Sequence, residues 1–216
     1  MTIKHLLTKE QENFIKRHKI PYDLLFDAGG EAMTEEMKQG MTKANKAFVY
    51  NTENCDKDPN HTLKSIDGDC VQCDASKIPS ILGEYQTAYI YLAGSIKANW
   101  IKVGLAKDIR NRIKTMNNSS SMYGGHNDWE ILFYAKTTSS GKIERMIHER
   151  LNSNKISAQY IKSFKLQKAA DLYQCSYQKA KGEISAIQDE EKFEFTQVNE
   201  KSHLISEYQF RNLTVK

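Results

Sequence analysis

Residues 88–117 read AYIYLAGSIKANWIKVGLAKDIRNRIKTMN, and this stretch decides the fold. Residues 88–93 and 100–104 are rich in branched and aromatic residues and flank a short polar loop, which predicts a hairpin of two strands. Apolar residues then recur at helical spacing, which predicts a helix over 107–117. The stretch therefore predicts a domain that mixes strands with helices.

The residues that follow extend this pattern. Residues 129–135 alternate as a third strand, and helices are expected over 139–151 and 167–184. The predicted fold class is α/β (α+β): a small three-stranded, mainly antiparallel sheet flanked by helices, with an N-terminal helical and zinc-binding region. The mixed domain itself is expected to span 84–184.

The rest of the chain divides by composition. Residues 1–50 are predicted to be a helical region, because Thr8 to Gln11 fit a capping box and methionines recur at helical spacing further on. Residues 51–80 contain three of the four cysteines and form a candidate metal-binding module. Residues 185–216 form a tail that either adds a strand or packs on the surface.

The module at 51–80 has too few apolar residues for a core of its own. Its pattern is Cys-x5-His-x8-Cys-x2-Cys, formed by Cys55, His61, Cys70 and Cys73. Three thiolates and one imidazole make a closed tetrahedral zinc set, and metal binding can stabilise such a segment. The sequence therefore predicts a structural Zn²⁺. The alternative is that these are ordinary cysteines and a surface histidine.

Overall composition excludes some classes of protein. Of 216 residues, 39% are hydrophobic and 27% are charged, as expected for a globular chain without membrane spans. Residues 1–7 show no signal peptide, so the expected location is the cytoplasm, with no membrane partner. The net charge is only +4, but residues 97–114 hold six basic residues and one acid. That segment is either a phosphate-binding face or a solvated helix surface.

Three parts of the chain resemble the GIY-YIG nuclease superfamily. Residues 89–91 (YIY) and 102–104 (KVG) match its two strand motifs, and Arg112 follows the glycine by eight residues, as in that family. Residues 141–148 resemble the helix that carries the family's single metal-binding glutamate. Residues 171–173 (DLY) resemble the acidic-aromatic segment that closes the domain in its phage and bacterial branch.

The resemblance implies a DNA endonuclease that hydrolyses phosphodiester bonds with a divalent cation, Mg²⁺ or Mn²⁺. Tyr91 is then expected to contact and deprotonate the attacking water, and Tyr89 lies on the same face of its strand because side chains alternate. Free tyrosine has a pKa of about 10, so it needs a cationic neighbour, which Lys102 on the adjacent strand is expected to provide.

The resemblance assigns the remaining roles to three side chains. Arg112 is expected to hold the scissile phosphate through its planar fork, and Glu144 to anchor the divalent cation. His148 lies one helical turn beyond Glu144 and is expected to touch the phosphate or a water of the ion. Taken singly, each is equally an ordinary strand or surface residue, so only their order and spacing indicate a nuclease.

Two positions depart from the family's pattern. Lys102 stands where the family has a tyrosine, and Met116 stands where it often has a histidine or tyrosine one turn after the arginine. Tyr123 or His126, in the polar loop, are candidates for the second of these roles. The family's late asparagine has no clear match.

Three hypotheses about function follow. The first is a DNA endonuclease, and because one such domain has one active site, a double-strand cut requires a homodimer or two visits. The second is a catalytically inactive, zinc-containing nucleic-acid-binding protein, which the two departures favour. The third is a zinc-stabilised protein-interaction adaptor. The sequence does not distinguish DNA from RNA, or double from single strands.

Overall fold

The computed structural model describes residues 7–120, 122–162 and 164–214. The chain divides into two compact units, the first ending at Tyr85 and the second beginning at Gln86. Residues 1–6, which carry most of the segment used to exclude a signal peptide, lie outside the described residues. Within the described ranges, no helix has the length and apolar character needed to cross a membrane.

The first unit combines three helices with a small sheet. Its elements are α1 (Lys9–His18), β1 (Leu25–Asp27), α2 (Glu35–Lys43), β2 (Phe48–Tyr50), β3 (Lys64–Ser65) and α3 (Ile78–Glu84). Strand β2 lies between β1, which runs parallel to it, and β3, which runs antiparallel. The predicted capping box at the start of α1 is confirmed, because the side chains of Thr8 and Gln11 each accept the other's backbone N–H.

The second unit contains the larger sheet and three helices. Its strands are β4 (Ala88–Ser95), β5 (Trp100–Ala106), β6 (Trp129–Thr137), β7 (Lys155–Lys162), β8 (Lys165–Tyr173) and β9 (Thr196–Glu200), and its helices are α4 (Ile109–Met116), α5 (Ser140–Arg150) and α6 (Tyr177–Glu191). The strand order is β7-β8-β5-β4-β6-β9, and every neighbouring pair is antiparallel.

The mixed α+β class is confirmed, but the predicted three-stranded sheet is too small. Strands β4, β5 and β6 are the three expected ones. The predicted helix over 167–184 is wrong in its first half, where the chain forms β8 and pairs along its length with β7. Residues 167–170 favour a helix by propensity, and cross-strand pairing overrides that preference. The tail supplies the sixth strand, β9.

The sheet of the second unit has two covered faces. Side chains at alternate positions of β4 point to opposite faces. Ile90 and Leu92 pack in a cluster with α5, α6 and the tail. Tyr91 and Ala93 pack in a second cluster with Met116 of α4 and with residues of β7 and β8. Tyr91 and Met116 of this second cluster border the candidate site, to which α5, packed on the first face, also contributes side chains.

Strand β8 is joined to the rest of the sheet over a very short length. Only Ile101 and Lys102 of β5 pair with it, opposite Tyr173 and Leu172. Beyond that junction β8 remains paired with β7 alone. We call these two strands the β7–β8 hairpin (155–173, of which residue 163 is not described).

Candidate functional site

Tyr91 lies at the centre of the candidate site and is fully buried. Its hydroxyl accepts a hydrogen bond from Nε of Arg112 at 2.7 Å. Tyr91 pairs with Gly104 across β4 and β5, and a Cβ at Gly104 would lie 2.6 Å from the Tyr91 hydroxyl. The glycine is therefore required because the phenol occupies the space of its missing side chain.

Arg112 is the fourth residue of α4, which begins where Asp108 caps the helix by accepting the N–H of Asn111. Its guanidinium carbon lies 5.8 Å from the ring of Tyr91 and 5.6 Å from the ring of Tyr123. Only Nε is committed to a protein acceptor: among the described residues, nothing accepts a hydrogen bond from the two terminal nitrogens. Such a fork is well suited to a phosphate.

The side chain of Lys102 lies at the point where the pairing between β5 and β8 ends. The side chain is 3% exposed, and Nζ donates to the backbone oxygens of Val103 at 3.0 Å and Ala170 at 3.2 Å. It also lies 4.0 Å from a carboxylate oxygen of Asp171. Burial lowers the pKa of Lys102 to about 8, and the opposite charge of Asp171 limits the shift.

Next to this lysine is a cluster of two carboxylates and one imidazole. Nε2 of His148 lies 3.7 Å from Glu144, on the same helix, and 3.5 Å from Asp171. The three residues each offer a ligand atom within 4.8 Å of the others. The other ring nitrogen, Nδ1, is 2.6 Å from the hydroxyl of Tyr173, which fixes the ring's orientation.

The charge state of Tyr91 is set by opposing effects. Burial raises the pKa of Tyr91 to about 12, whereas the charge and hydrogen bond of Arg112 favour the ionised form, and Glu144 and Asp171 oppose it. In the protein without ligands, burial has the larger effect. The phenol is therefore neutral near pH 7, and a further positive charge at the acidic cluster would shift it towards ionisation.

The sequence-predicted residues thus fall into two groups that meet at Lys102. One group is Tyr91 with Arg112, and the other is Glu144 with His148. Tyr89 is not part of either: its hydroxyl donates to Gln197, and its ring packs edge-on against Tyr134 at 5.5 Å.

Met116 stands where the GIY-YIG pattern often has a histidine or tyrosine, and two residues of the polar loop were candidates to take that role. The ring of Tyr123 lies 5.1 Å from Nζ of Lys102 and also lies against Arg112, and its hydroxyl donates to Ala170 at 2.6 Å. His126 instead packs against Trp100 at 5.2 Å. Of the two, only Tyr123 joins the site.

Asp171 is the residue that the sequence did not place in the site. It was noted only as part of a family-like segment. Its backbone has a φ of +60°, which is uncommon for a residue other than glycine. One signal was present: Asp171 is the only acid between Glu149 and Glu183. An isolated carboxylate in a basic segment favours a specific role over general solvation.

The cysteine module lies in the first unit. The sulfur atoms of Cys55, Cys70 and Cys73 lie within 4.8 Å of one another, so they can hold a metal ion. Nδ1 of His61 is 3.3 Å from Sγ of Cys73, which brings the fourth predicted ligand to the same place. Nε2 of His61 lies 3.5 Å from Asp58, the carboxylate–histidine arrangement that orients a metal-binding imidazole.

The antiparallel α+β domain thus places a cluster able to hold a cation near a guanidinium able to hold a phosphate, the two elements that metal-dependent phosphodiester hydrolysis uses. The family model of the T5orf172 domain matches residues 86–197, and the chain belongs to this family. The family comprises nuclease-like, DNA-binding domains. No curated protein and no solved structure matches the chain.

The assignment to the GIY-YIG superfamily is contradicted by this match, because the model that fits 86–197 belongs to a different family and no GIY-YIG model matches. The short motifs at 89–91 and 102–104 lie on a strand hairpin, and Arg112 lies on the helix after it; these features are not specific to one family. The departures at Lys102 and Met116 were the points at which the sequence differed from that pattern.

Proposed function

We propose that this protein is a metal-dependent DNA endonuclease whose active site is the group of residues around Lys102. One observation carries the proposal. A cluster able to hold a cation, with Glu144, His148 and Asp171 within 4.8 Å of one another, is linked through Lys102 to an arginine with free terminal nitrogens. Hydrolysis of a phosphodiester requires these two elements side by side, a cation site and a phosphate clamp.

Arg112 is the proposed phosphate clamp. Its Nε bond to Tyr91 and its contact with Tyr123 hold the guanidinium plane in place. The two terminal nitrogens then remain available to two phosphate oxygens, the bidentate arrangement that arginine favours. Lys102, buried and fixed by two backbone oxygens, adds positive charge close to the clamp.

The acidic cluster fits a divalent cation. Carboxylate oxygens suit Mg²⁺ or Mn²⁺, and an imidazole is an acceptable further ligand for the latter. Glu144 and Asp171 would hold the ion, with His148 oriented between them by Tyr173. A bound cation would balance the charge that develops on the phosphate during hydrolysis.

Tyr91 is the proposed general base for the attacking water. Arg112 donates to the phenol oxygen and so stabilises its ionised form. The phenol is buried in the protein without substrate. Binding of the phosphate must therefore open a path for water to the phenol oxygen, while the Nε bond to Tyr91 still holds the guanidinium. Tyr89 is not part of this proposal, since its hydroxyl is held by Gln197.

The module in the first unit is proposed to hold a structural Zn²⁺. Four ligands, Cys55, His61, Cys70 and Cys73, complete a tetrahedral shell and leave no open position for chemistry. Asp58 supports the assignment, because its carboxylate lies 3.5 Å from Nε2 of His61, the ring nitrogen that is not the one near the sulfur atoms.

The test is cleavage of supercoiled plasmid and of single-stranded DNA with added Mg²⁺ or Mn²⁺. Glu144→Gln is expected to lower the cleavage rate by about two orders of magnitude or more, because it removes one anionic ligand of the ion. Glu149→Gln is the matched control. Glu149 lies on the same helix, its one ion pair with a described residue is with Arg145, and the variant should cleave at the wild-type rate.

Equal loss in both variants would assign the effect to the helix and not to the cation site. Nicked circles before linear product would show one cut per visit, whereas direct linearisation would show that two copies act together. A folded wild-type protein that binds DNA but cuts neither substrate would contradict the proposal. The protein would then be a catalytically inactive nucleic-acid-binding protein.

A further inference from the structure

The β7–β8 hairpin carries a positive charge that the proposed active site does not use. Four lysines lie along it: Lys155, Lys162, Lys165 and Lys168. No acidic residue occurs between Lys155 and Ala170. All four are exposed. Lys155 lies 3.9 Å from Asp171 at the base of the hairpin, but no described acid pairs with the other three.

The tip of the hairpin is apolar. Ile161, Phe164 and Leu166 are 61%, 104% and 67% exposed. They account for three of the six large hydrophobic residues that are exposed in the described ranges, and they fall within six positions of one another. Isolated exposed hydrophobic residues need no explanation, but a patch at the end of a projecting element indicates a binding surface.

The pairing of the hairpin indicates an anionic ligand. Lys162 lies directly opposite Lys165 in the register. Two like charges in that arrangement repel one another and destabilise the strand pair. In a hairpin without a ligand, this pair only destabilises the strands. In a hairpin that binds phosphates, the pair favours binding, because both ammonium groups then face negative charge.

The hairpin is also continuous with the candidate active site. Tyr160 of β7 packs against Tyr123 at 5.1 Å, and Tyr123 packs against Arg112. Side chains two positions apart on a strand share a face, so Lys162 extends from Tyr160 in the direction of the tip. The phosphates of one DNA strand can therefore contact both the hairpin and the guanidinium of Arg112.

We propose that the β7–β8 hairpin is a DNA-binding arm that grips duplex DNA beside the active site. Its lysines contact phosphates, and Phe164 enters a groove and packs against the bases. A two-stranded ribbon fits the major groove, and apolar side chains are used as wedges between base steps. The inference rests on the proposed function only in taking DNA as the substrate, and it concerns binding and not cleavage.

The experiment measures binding of the full-length protein to a labelled 30-base-pair duplex by fluorescence anisotropy. Ca²⁺ replaces Mg²⁺ to hold the DNA uncut, and no chelator is added, so that any bound zinc remains. K162Q/K165Q/K168Q is expected to bind at least tenfold more weakly and to reduce the slope of log K against log salt by about 2–3. Phe164→Ala is expected to bind about 5- to 100-fold more weakly with an unchanged salt slope.

The matched control is K179Q/K181Q/K192Q, which removes the same charge from α6 and its C-terminal end, on the opposite face of the sheet. Its affinity should stay within a factor of about three of the wild type, as expected when no phosphate contact is lost. Because every substituted side chain of the hairpin is exposed, thermal unfolding of its variants should match that of the wild type.

Three results would overturn the inference: no duplex binding by the wild type, equal losses in the hairpin and control triples, or unchanged affinity in both hairpin variants. If Phe164→Ala alters only the oligomeric state, the tip is a contact between copies of this chain and the inference is also wrong. Failure of the proposed function is a separate observation, since a protein that cuts no DNA can still show the hairpin-dependent affinity.

Discussion

Tyr91, Gly104 and Arg112 determine one another's positions. The phenol lies over the glycine, and the arginine donates to the phenol. A methyl group at position 104 would lie 2.6 Å from the hydroxyl oxygen, closer than non-bonded atoms tolerate. The glycine was recognisable in the sequence as part of a motif, but its reason is steric and became visible only when the two strands were paired.

Gly104→Ala is therefore expected to displace the phenol and weaken its bond to Arg112. We expect a loss of about 1–3 kcal/mol in the free energy of unfolding, measured in urea, and a fall of about a hundredfold in the cleavage rate. Gly182→Ala is the control, because it has open space in α6 and should stabilise the helix by about 0.5–1 kcal/mol. Normal cleavage by folded Gly104→Ala would show that the phenol's position is unimportant.

The pH dependence of cleavage tests the base. The pKa of Tyr91 is raised to about 12. Below that pH, the fraction of Tyr91 that is deprotonated and reactive grows tenfold for each unit by which the pH rises. The logarithm of the single-turnover rate with Mg²⁺ should therefore rise with a slope of about one between pH 6 and 9. Tyr91→Phe should abolish most of the rate and the slope with it. A rate that does not change with pH over this range would contradict the role of Tyr91 as the base.

At the scale of elements, the sequence predicted those that alternate or repeat clearly. The hairpin of β4 and β5, strand β6 and helices α4 and α5 were all expected near their observed places. Strand β8 was missed because residues 167–170 are Gln, Lys and Ala, whose preference is helical. Ser176 offered a signal: it caps α6 by accepting the N–H of Lys179, and it marks where the helix begins.

The contrast between elements with a clear sequence pattern and strand β8, which has none, also explains which part of the site could be predicted. Tyr91, Arg112, Glu144 and His148 lie on elements that the periodicity identified. Asp171 lies on β8, and a helix in its place would have presented the carboxylate elsewhere. A long-range strand pairing decides its position, and a single sequence carries little information about such pairing.

The tail is an integral element of the second unit. Tyr208 is 2% exposed, and its ring fills the space above Gly94, where a Cβ would lie 2.3 Å from it. We expect Tyr208→Ala to lower the free energy of unfolding by about 3 kcal/mol. Phe164→Ala, which removes an equally large but exposed ring, should change it by less than about 0.5 kcal/mol. Both follow from urea unfolding, and similar losses in the two would mean that the tail is not packed as described.

At the scale of the whole molecule, the chain consists of two units with separate cores. The second unit has two hydrophobic clusters on its sheet. The first unit has a cluster of comparable size around Phe48 and Tyr50, a smaller one around Met41, and the cysteine module. The two units should therefore differ in their dependence on metal. The cysteine spacing alone predicts this difference, and the division after Tyr85 lies beside residue 84, where the sequence pattern predicts that the mixed domain begins.

Removing zinc with a chelator is expected to unfold the first unit and leave the second folded. Calorimetry should show one transition shifting to lower temperature and one unchanged, and the native protein should contain one zinc per chain. Cys73→Ser should lose the metal and the first transition, whereas Cys175→Ala, in the core of the second unit, should retain one zinc. A metal-free protein with unaltered unfolding would show that the cysteines have no such role.

The junction between β5 and β8 has a consequence for how this domain can change over evolutionary time. Two residue pairs, one buried ammonium and the contacts of Tyr123 with Tyr160 and Ala170 attach the β7–β8 hairpin to the rest of the second unit. Substitutions or extra residues near the tip of the hairpin leave those attachments in place, because the residues at the tip make few contacts with the rest of the unit. A lineage can therefore vary the outer half of the hairpin rapidly while the residues around Lys102 stay constant. Diversity among related proteins should accordingly concentrate between residues 161 and 168, outward of the contact between Tyr160 and Tyr123.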